Sequence, residues 1–229
     1  MATQQVSAAP GARRVPRSSP AVARRVGPAP ARAASRAHEL PRADNRQSEL
    51  LDAAARLFRE KGYAGTTMRD IAAAAGMLAG SIYYHFPNKD ALLIAVYTEG
   101  VRRITAAVAF AVDRAEGAWP RLEAACVAHL EHLLARSDYA SVVIRVHPRE
   151  FPPRTAQKLR ALRDGYEDWF RRLCGELPLP READADELRL LLLGALNSAA
   201  TWYRAGRRSP AALARRFIWL LRAPLERSR

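Results

Sequence analysis

Cysteine is nearly absent: Cys126 and Cys174 are the two in 229 residues. A disulfide-stapled scaffold is thereby excluded, and two reduced, buried thiols in a cytoplasmic protein are the expectation. Missing too is any apolar run of the roughly 20 residues that a membrane-spanning helix requires. The longest candidate, Leu188 to Ala200, is interrupted by Arg189, Asn197 and Ser198, so no membrane partner is expected. No continuous apolar block of a secretory signal opens the chain. Residues that favour strands are sparse beside alanine and leucine, which predicts helices. Acidic residues are in the minority, Asp and Glu totalling 23 against 37 Lys and Arg, for a net charge of +14. That excess directs the chain towards polyanions, nucleic acid or an anionic surface.

The signatures of common enzyme chemistries are absent as well. There is no glycine-rich nucleotide loop, no Gly-x-Ser-x-Gly elbow and no His-Glu-x-x-His. The carboxylate pairs Glu167–Asp168 and Asp184–Asp186 sit in polar segments and read as solvated charge. Neither catalysis nor a cofactor is expected. Cys126, His129 and His132 form a Cys-x-x-His-x-x-His run of zinc-favoured side chains. Six residues of helix turn the first and last about 120° apart, so a core thiol with partly exposed histidines is expected there, and no metal.

What is present divides into three parts. Residues 1–44 are dominated by Ala, Arg, Pro, Ser and Gly, with arginines at 13, 14, 17, 24, 25, 32, 36 and 42 against Glu39 and Asp44. Such a segment cannot bury enough apolar surface to offset its ordering entropy, and disorder is predicted. It also suits a basic arm touching phosphate or the minor groove. Its Arg- and Ser-rich make-up is shared with organellar transit peptides, the least favoured of the three readings.

Residues 45–92 change to helical periodicity. Leu50, Leu51, Ala54, Leu57 and Phe58 mark one face of a helix from about Arg46 to Lys61, ended by Gly62. Thr67 opens a second helix with Asp70 as its capping-box partner, and Gly76 closes it. Ala79 to His85 predicts a third helix stopped by Pro87, and Asn88 caps a fourth running to about Ala107. Ile71, Ala72, Met77 and Ile82 are spaced as the small core of a helix-turn-helix, with Phe86 more at home inside than out. The second of its helices exposes Ala79, Ser81, Tyr84 and His85, a face that fits the major groove. The backbone N–H groups after Thr67, beside Arg69, make a seat for phosphate.

In residues 93–229, breaks at Gly117–Pro120, Pro148–Pro153, Gly175–Pro180 and Gly206–Pro210 bring the total to about nine helices without a strand. Helices are expected from about Asp186 to Arg204 and from Pro210 to Leu221. The fold class is all-α, a three-helix head followed by a helical bundle. Bundles bind ligands between their helices. Trp119, Tyr139, Tyr166, Trp169, Phe170 and Trp202 are candidates to line such a cavity. Phe151, Tyr203, His147 and Asn197 are further ones. Most aromatics at helical spacing are simply core. Arg145, Arg149, Lys158, Arg160 and Arg163 suit either an anionic ligand or a solvated basic face.

From Leu50 to Ala95 the chain reads Ala-Ala-x-x-Leu-Phe-x-x-Lys-Gly-Tyr, Thr-Thr-x-x-Asp-Ile-Ala, then Ala-Gly-x-x-x-Gly-Ser-Ile-Tyr-Tyr-His-Phe-x-x-Lys. This resembles the tetracycline-repressor (TetR) family of regulators. The resemblance implies an all-helical homodimer that binds double-stranded operator DNA and answers to a small-molecule effector. Carried over by position, Thr67 and Arg69 would hold phosphates. Ala79, Gly80, Ser81 and Tyr84 would face bases or nearby backbone, and Tyr83, His85 and Lys89 would anchor to phosphate. Leu78 and Ala79 depart from the family's usual polar residues, which implies sparse base readout and more reliance on thymine methyls and DNA shape. The stretch Gly194 to Gly206, with Ser209-Pro210, resembles the penultimate helix of a subgroup regulating fatty-acid and steroid breakdown. That likeness implies acyl-CoA effectors and a four-helix dimer interface made by the last two helices. A nonspecific architectural DNA binder is the competing reading of the charge.

Overall fold

The computed structural model describes residues 42–227, with side chains from 46 to 225; the expected arm up to residue 41 lies outside the described residues. Nine α-helices are found among these residues, and no strand. They are α1 (Arg42–Lys61), α2 (Met68–Ala74), α3 (Ile82–His85), α4 (Lys89–Val112), α5 (Ala118–Leu134), α6 (Asp138–Arg145), α7 (Pro153–Gly175), α8 (Ala185–Trp202) and α9 (Pro210–Arg227). A 3₁₀ turn, Pro148–Glu150, precedes α7.

Several expected boundaries move. α1 begins at Arg42, inside the expected arm, because neither proline nor glycine follows Pro41 until Gly62. α4 runs on to Val112, and α9 continues past Leu221 to Arg227 with Pro224 inside it. The break between α5 and α6 carried no proline or glycine and was not expected. There Arg136 takes a left-handed φ of 53°, and Ser137 Oγ accepts from the Ala140 N–H at 3.1 Å to start α6. A side chain can thus turn the chain where the sequence shows no usual punctuation.

Two apolar clusters organise the bundle. In the first, Leu50, Phe58, Ile71, Ile82, Phe86 and Leu92 bury against Tyr139 and Val142 of α6 and Leu159 of α7. In the second, Val108, Leu122, Leu130, Phe170, Leu192 and Ile218 pack together from α4, α5, α7, α8 and α9. Each fully buried leucine contributes about 1.5–3 kcal/mol relative to exposure. α4 serves both clusters, with Val96 in one and Val108 in the other.

Arg189, which interrupted the apolar run of α8, is only 7% exposed. Its Nη1 lies 2.9 Å from Glu167 Oε2 on α7 and its Nε 3.1 Å from Asp186 Oδ1. A buried cation with two carboxylate partners sustains its desolvation, whereas one left unpaired would not. Among the described residues no helix is long and apolar enough to cross a membrane. Both cysteines are buried free thiols.

Candidate functional site

The head of the molecule is shaped by its caps. At the start of α2, Thr67 Oγ1 accepts from the Asp70 N–H at 3.1 Å, while Asp70 Oδ2 accepts from the Thr67 N–H at 3.0 Å. The Thr67 hydroxyl, which donates to Asp70 Oδ2 at 2.7 Å, and then the Thr67 N–H hold the Asp70 carboxyl below its ordinary pKa. At the other end, Gly76 N–H reaches Ala73 O and Met77 N–H reaches Ala72 O, a Schellman closure with Gly76 at φ 65°. A side chain at Gly76 would strain that left-handed turn, so the angle between α2 and α3 depends on this residue.

The expected third helix from Ala79 to His85 is shorter. Regular α-helix covers only Ile82–His85, and residues 79–81 form a turn with Ser81 N–H donating to Leu78 O at 2.9 Å. Leu78 offers no side-chain acceptor and the Ser81 hydroxyl makes no cap, so the first turn tightens to i→i+3 bonding. Ile82 is fully buried against Ile71 and Ala72, and Phe86 is core as expected. Tyr84 is 93% exposed, Leu78 82% and Tyr83 54%. Ala79, Gly80, Thr67 and Arg69 are exposed beside them, and Ser81 and His85 are half-buried. Eight of the nine carried-over residues are thus exposed or half-buried, two at the start of α2 and six along residues 79–85.

Lys89 is placed differently. Its Nζ donates to Tyr63 O and Thr66 O, each at 2.8 Å, and lies 4.2 Å from the Tyr63 ring centroid. Two of its three donors therefore fasten the α1–α2 connection onto α4. Beside it, Asp90 accepts from the Tyr63 hydroxyl and, at 2.7 Å, from Thr155 Oγ1 of α7.

A cavity of about 550 Å³ opens between α4, α5, α6, α7 and α8. Of the expected ligand residues, His147, Tyr166 and Asn197 line it. The others lie elsewhere, which corrects the expectation. Trp119 and Phe170 are core of the second cluster, and Tyr139 donates its hydroxyl to Asp52 Oδ1 at 2.8 Å across to α1. Trp169 carries the Arg172 guanidinium over its ring, and Trp202 lies on the surface against Phe217. Phe151 packs on Tyr63 in the head, while Tyr203 lines a shallower neighbouring pocket.

Among the lining residues that the choice of aromatics missed are Tyr97, Val101, Ile104, Leu133, Glu167 and Leu193. Arg145 and Arg163 line it as well, whereas Arg149, Lys158 and Arg160 do not. His129, expected to be partly exposed, is 3% exposed and faces the cavity. Its Nδ1 lies 2.6 Å from Tyr166 Oη and its Nε2 3.1 Å from Asn197 Oδ1. Burial is the main cause lowering its pKa to about 4. No cluster of metal-holding side chains forms among the described residues. The sequence signal for His129 was its place on the apolar face of α5, with Cys126, Leu130 and Leu133.

Known proteins match both the head and the bundle. The family model of bacterial regulatory proteins, tetR family, matches residues 50–96. That of the tetracyclin repressor-like C-terminal domain matches residues 115–225. The HTH-type transcriptional repressor KstR2 of Rhodococcus jostii (strain RHA1) is 56% identical over 48 residues, 21% of this chain and 24% of that protein. The chain therefore matches about a quarter of that relative's length. A solved structure described as superantigen pfit is 33% identical with a TM-score of 0.67, covering 76% of this chain and 87% of that one. AibR in complex with isovaleryl coenzyme A and operator DNA is 26% identical with a TM-score of 0.66, covering 76% of this chain and 97% of that one.

Proposed function

The chain belongs to the tetR family of bacterial regulatory proteins, and from that premise we propose that it is a sequence-specific DNA-binding repressor released by a small-molecule effector. The observation that carries this reading is the outward display of Tyr83 and Tyr84 on α3 beside the capped start of α2. A tyrosine ring that is 93% exposed contributes nothing to the fold, and it suits contact with the sugar-phosphate backbone and groove edge. Thr67 and Arg69 supply phosphate contacts. Ala79, Gly80 and Ser81 let the turn approach bases closely, and His85 lies at the rim.

The protein acts in the cytoplasm as a homodimer. Leu190, Leu191 and Trp202 of α8 and Trp219 and Leu220 of α9 are exposed apolar residues, and a second copy covers them through a two-fold interface. Such a dimer places two heads on a palindrome with half-sites roughly 34–36 Å apart or slightly more. The effector occupies the cavity under α6, and an acyl-CoA thioester is its class, in keeping with the ligand held by AibR. Filling the cavity shifts α4 and α6, the two heads separate differently, and the operator-competent population falls. The protein has no catalytic role.

Selection of the purified protein on random-sequence DNA at moderate salt, followed by sequencing, tests this. Enrichment of one palindrome is expected. Uniform binding that collapses as salt rises would leave an architectural coat protein driven by net charge.

A further inference from the structure

One wall of the cavity carries polar groups linked in a fixed direction. His129, sealed by edge contact with Phe170 and stacking on Tyr166, is a neutral imidazole at pH 7 because burial depresses its pKa. A neutral ring has one donor and one acceptor nitrogen. Asn197 Oδ1, which can only accept, faces Nε2 at 3.1 Å, so the ring proton sits on Nε2. Nδ1 is then the acceptor for the Tyr166 phenol at 2.6 Å. The Asn197 Nδ2 group, with no hydrogen-bond partner among the described residues, is left as a donor at the cavity wall. Around it stand the apolar side chains of Val101, Ile104, Leu133 and Leu193.

We propose that this cavity holds the apolar part of its ligand and selects it by a neutral carbonyl oxygen, that of a ketone, ester or thioester, which accepts a hydrogen bond from Asn197 Nδ2. The inference rests on the cavity being the effector site and gives that site its ligand class. Tyr166 and His129 are positioning residues that orient the amide. Arg145 and Arg163 also line the cavity, and they make a carboxylic acid the rival class. Arg163 is offset by Glu167 at 3.7 Å, and Arg145 commits an Nη1 donor to Arg59 O at 3.0 Å.

Three probes of one chain length separate these classes: 2-decanone, 2-decanol and decanoate, titrated into the full-length protein without DNA. Wild type binds the ketone and the alcohol in preference to the acid. Asn197→Asp keeps an acceptor for His129 but removes the donor, so the ketone weakens about tenfold while the alcohol, able to donate, is retained. Tyr166→Phe, a milder change, releases the tautomer and narrows the ketone's advantage over the acid. Preference of wild type for decanoate, unchanged ketone affinity in Asn197→Asp, or no binding of any probe up to its solubility overturns the proposal. Operator selection on the same preparations reads out separately. An enriched palindrome without ketone preference removes the ligand class alone, and ketone binding without an enriched palindrome removes the regulator reading.

Discussion

Both ends of α6 grip one residue of α1: Asp138 pairs with the Arg59 guanidinium, and Arg145 Nη1 donates to the Arg59 carbonyl oxygen at 3.0 Å. Arg145 also lines the cavity. A single side chain thus touches both the space where a ligand would sit and the last turn of the helix that leads into the head.

Arg145→Met keeps the bulk of the cavity wall and deletes that contact. Hydrogen exchange in the connection of residues 62–67 should become faster, while global stability falls by no more than about 1 kcal/mol, since the bond is solvent-exposed. Unchanged exchange there would show that the contact does not restrain α1.

Tyr84→Ala should leave the thermal midpoint unaltered, because surface changes away from packed features stay within about 0.5 kcal/mol. Affinity for the selected operator should drop at least about tenfold. Fluorescence anisotropy with a labelled operator reads the second effect and calorimetry the first. Full affinity in this variant would remove Tyr84 from the DNA face.

Gly100 sits where α4 and α6 cross. A Cβ there would meet Val143 Cγ2 at 2.7 Å and the Tyr139 carbonyl oxygen at 3.2 Å. In an open helix, alanine is favoured over glycine by about 1 kcal/mol; here overpacking costs about 1–3 kcal/mol and wins. Gly100→Ala should lower the thermal midpoint by a few degrees, and adding Val143→Ala should restore most of it. A more stable single variant would contradict the close crossing.

His129 titrates at about 4 when folded against an ordinary value of 6.5, with burial as the principal cause. Between those values the unfolded chain binds a proton that the folded chain refuses. The stability linked to this group is therefore fully present above about pH 6.5 and is lost as pH falls towards 4. Between pH 7 and pH 5 the loss amounts to about 2 kcal/mol. His132 is shifted the same way by burial and by Arg103, so the comparison of wild type with His129→Gln isolates the contribution. Urea midpoints at the two pH values should converge in the variant. An equal acid loss in both proteins would assign the effect elsewhere.

The head was legible because its signals are local. Capping at Thr67 and Asn88, the left-handed close at Gly76 and the burial of Ile71, Ile82 and Phe86 depend on neighbours a few positions away, and all appear as expected. The cavity depends on which helices lie side by side, and no local pattern carries that. Trp119 and Phe170 have the spacing of a ligand wall and the burial of a core. Lys89 read as a surface cation, and only the path of the α1–α2 connection reveals the two carbonyls it holds. His129 was read as partly exposed, and the partners that accompany its burial, Tyr166 and Asn197, stand 37 and 68 positions away.

α4 runs unbroken from Lys89 to Val112, a rod of 24 residues and about 36 Å. Its first turn is pinned, with Asp90 holding Tyr63 and Thr155 while Lys89 holds the connection beside them. A tilt of about 5° about that pin sweeps the far end of the rod through about 3 Å. Run in reverse, a modest push against Val101 or Ile104 along the cavity wall becomes a turning moment delivered at the pin, where the head is attached. On the function proposed above, no soft hinge between the parts would be needed, because leverage through one stiff shaft would couple the occupancy of a small space to the aim of the tyrosines at its tip.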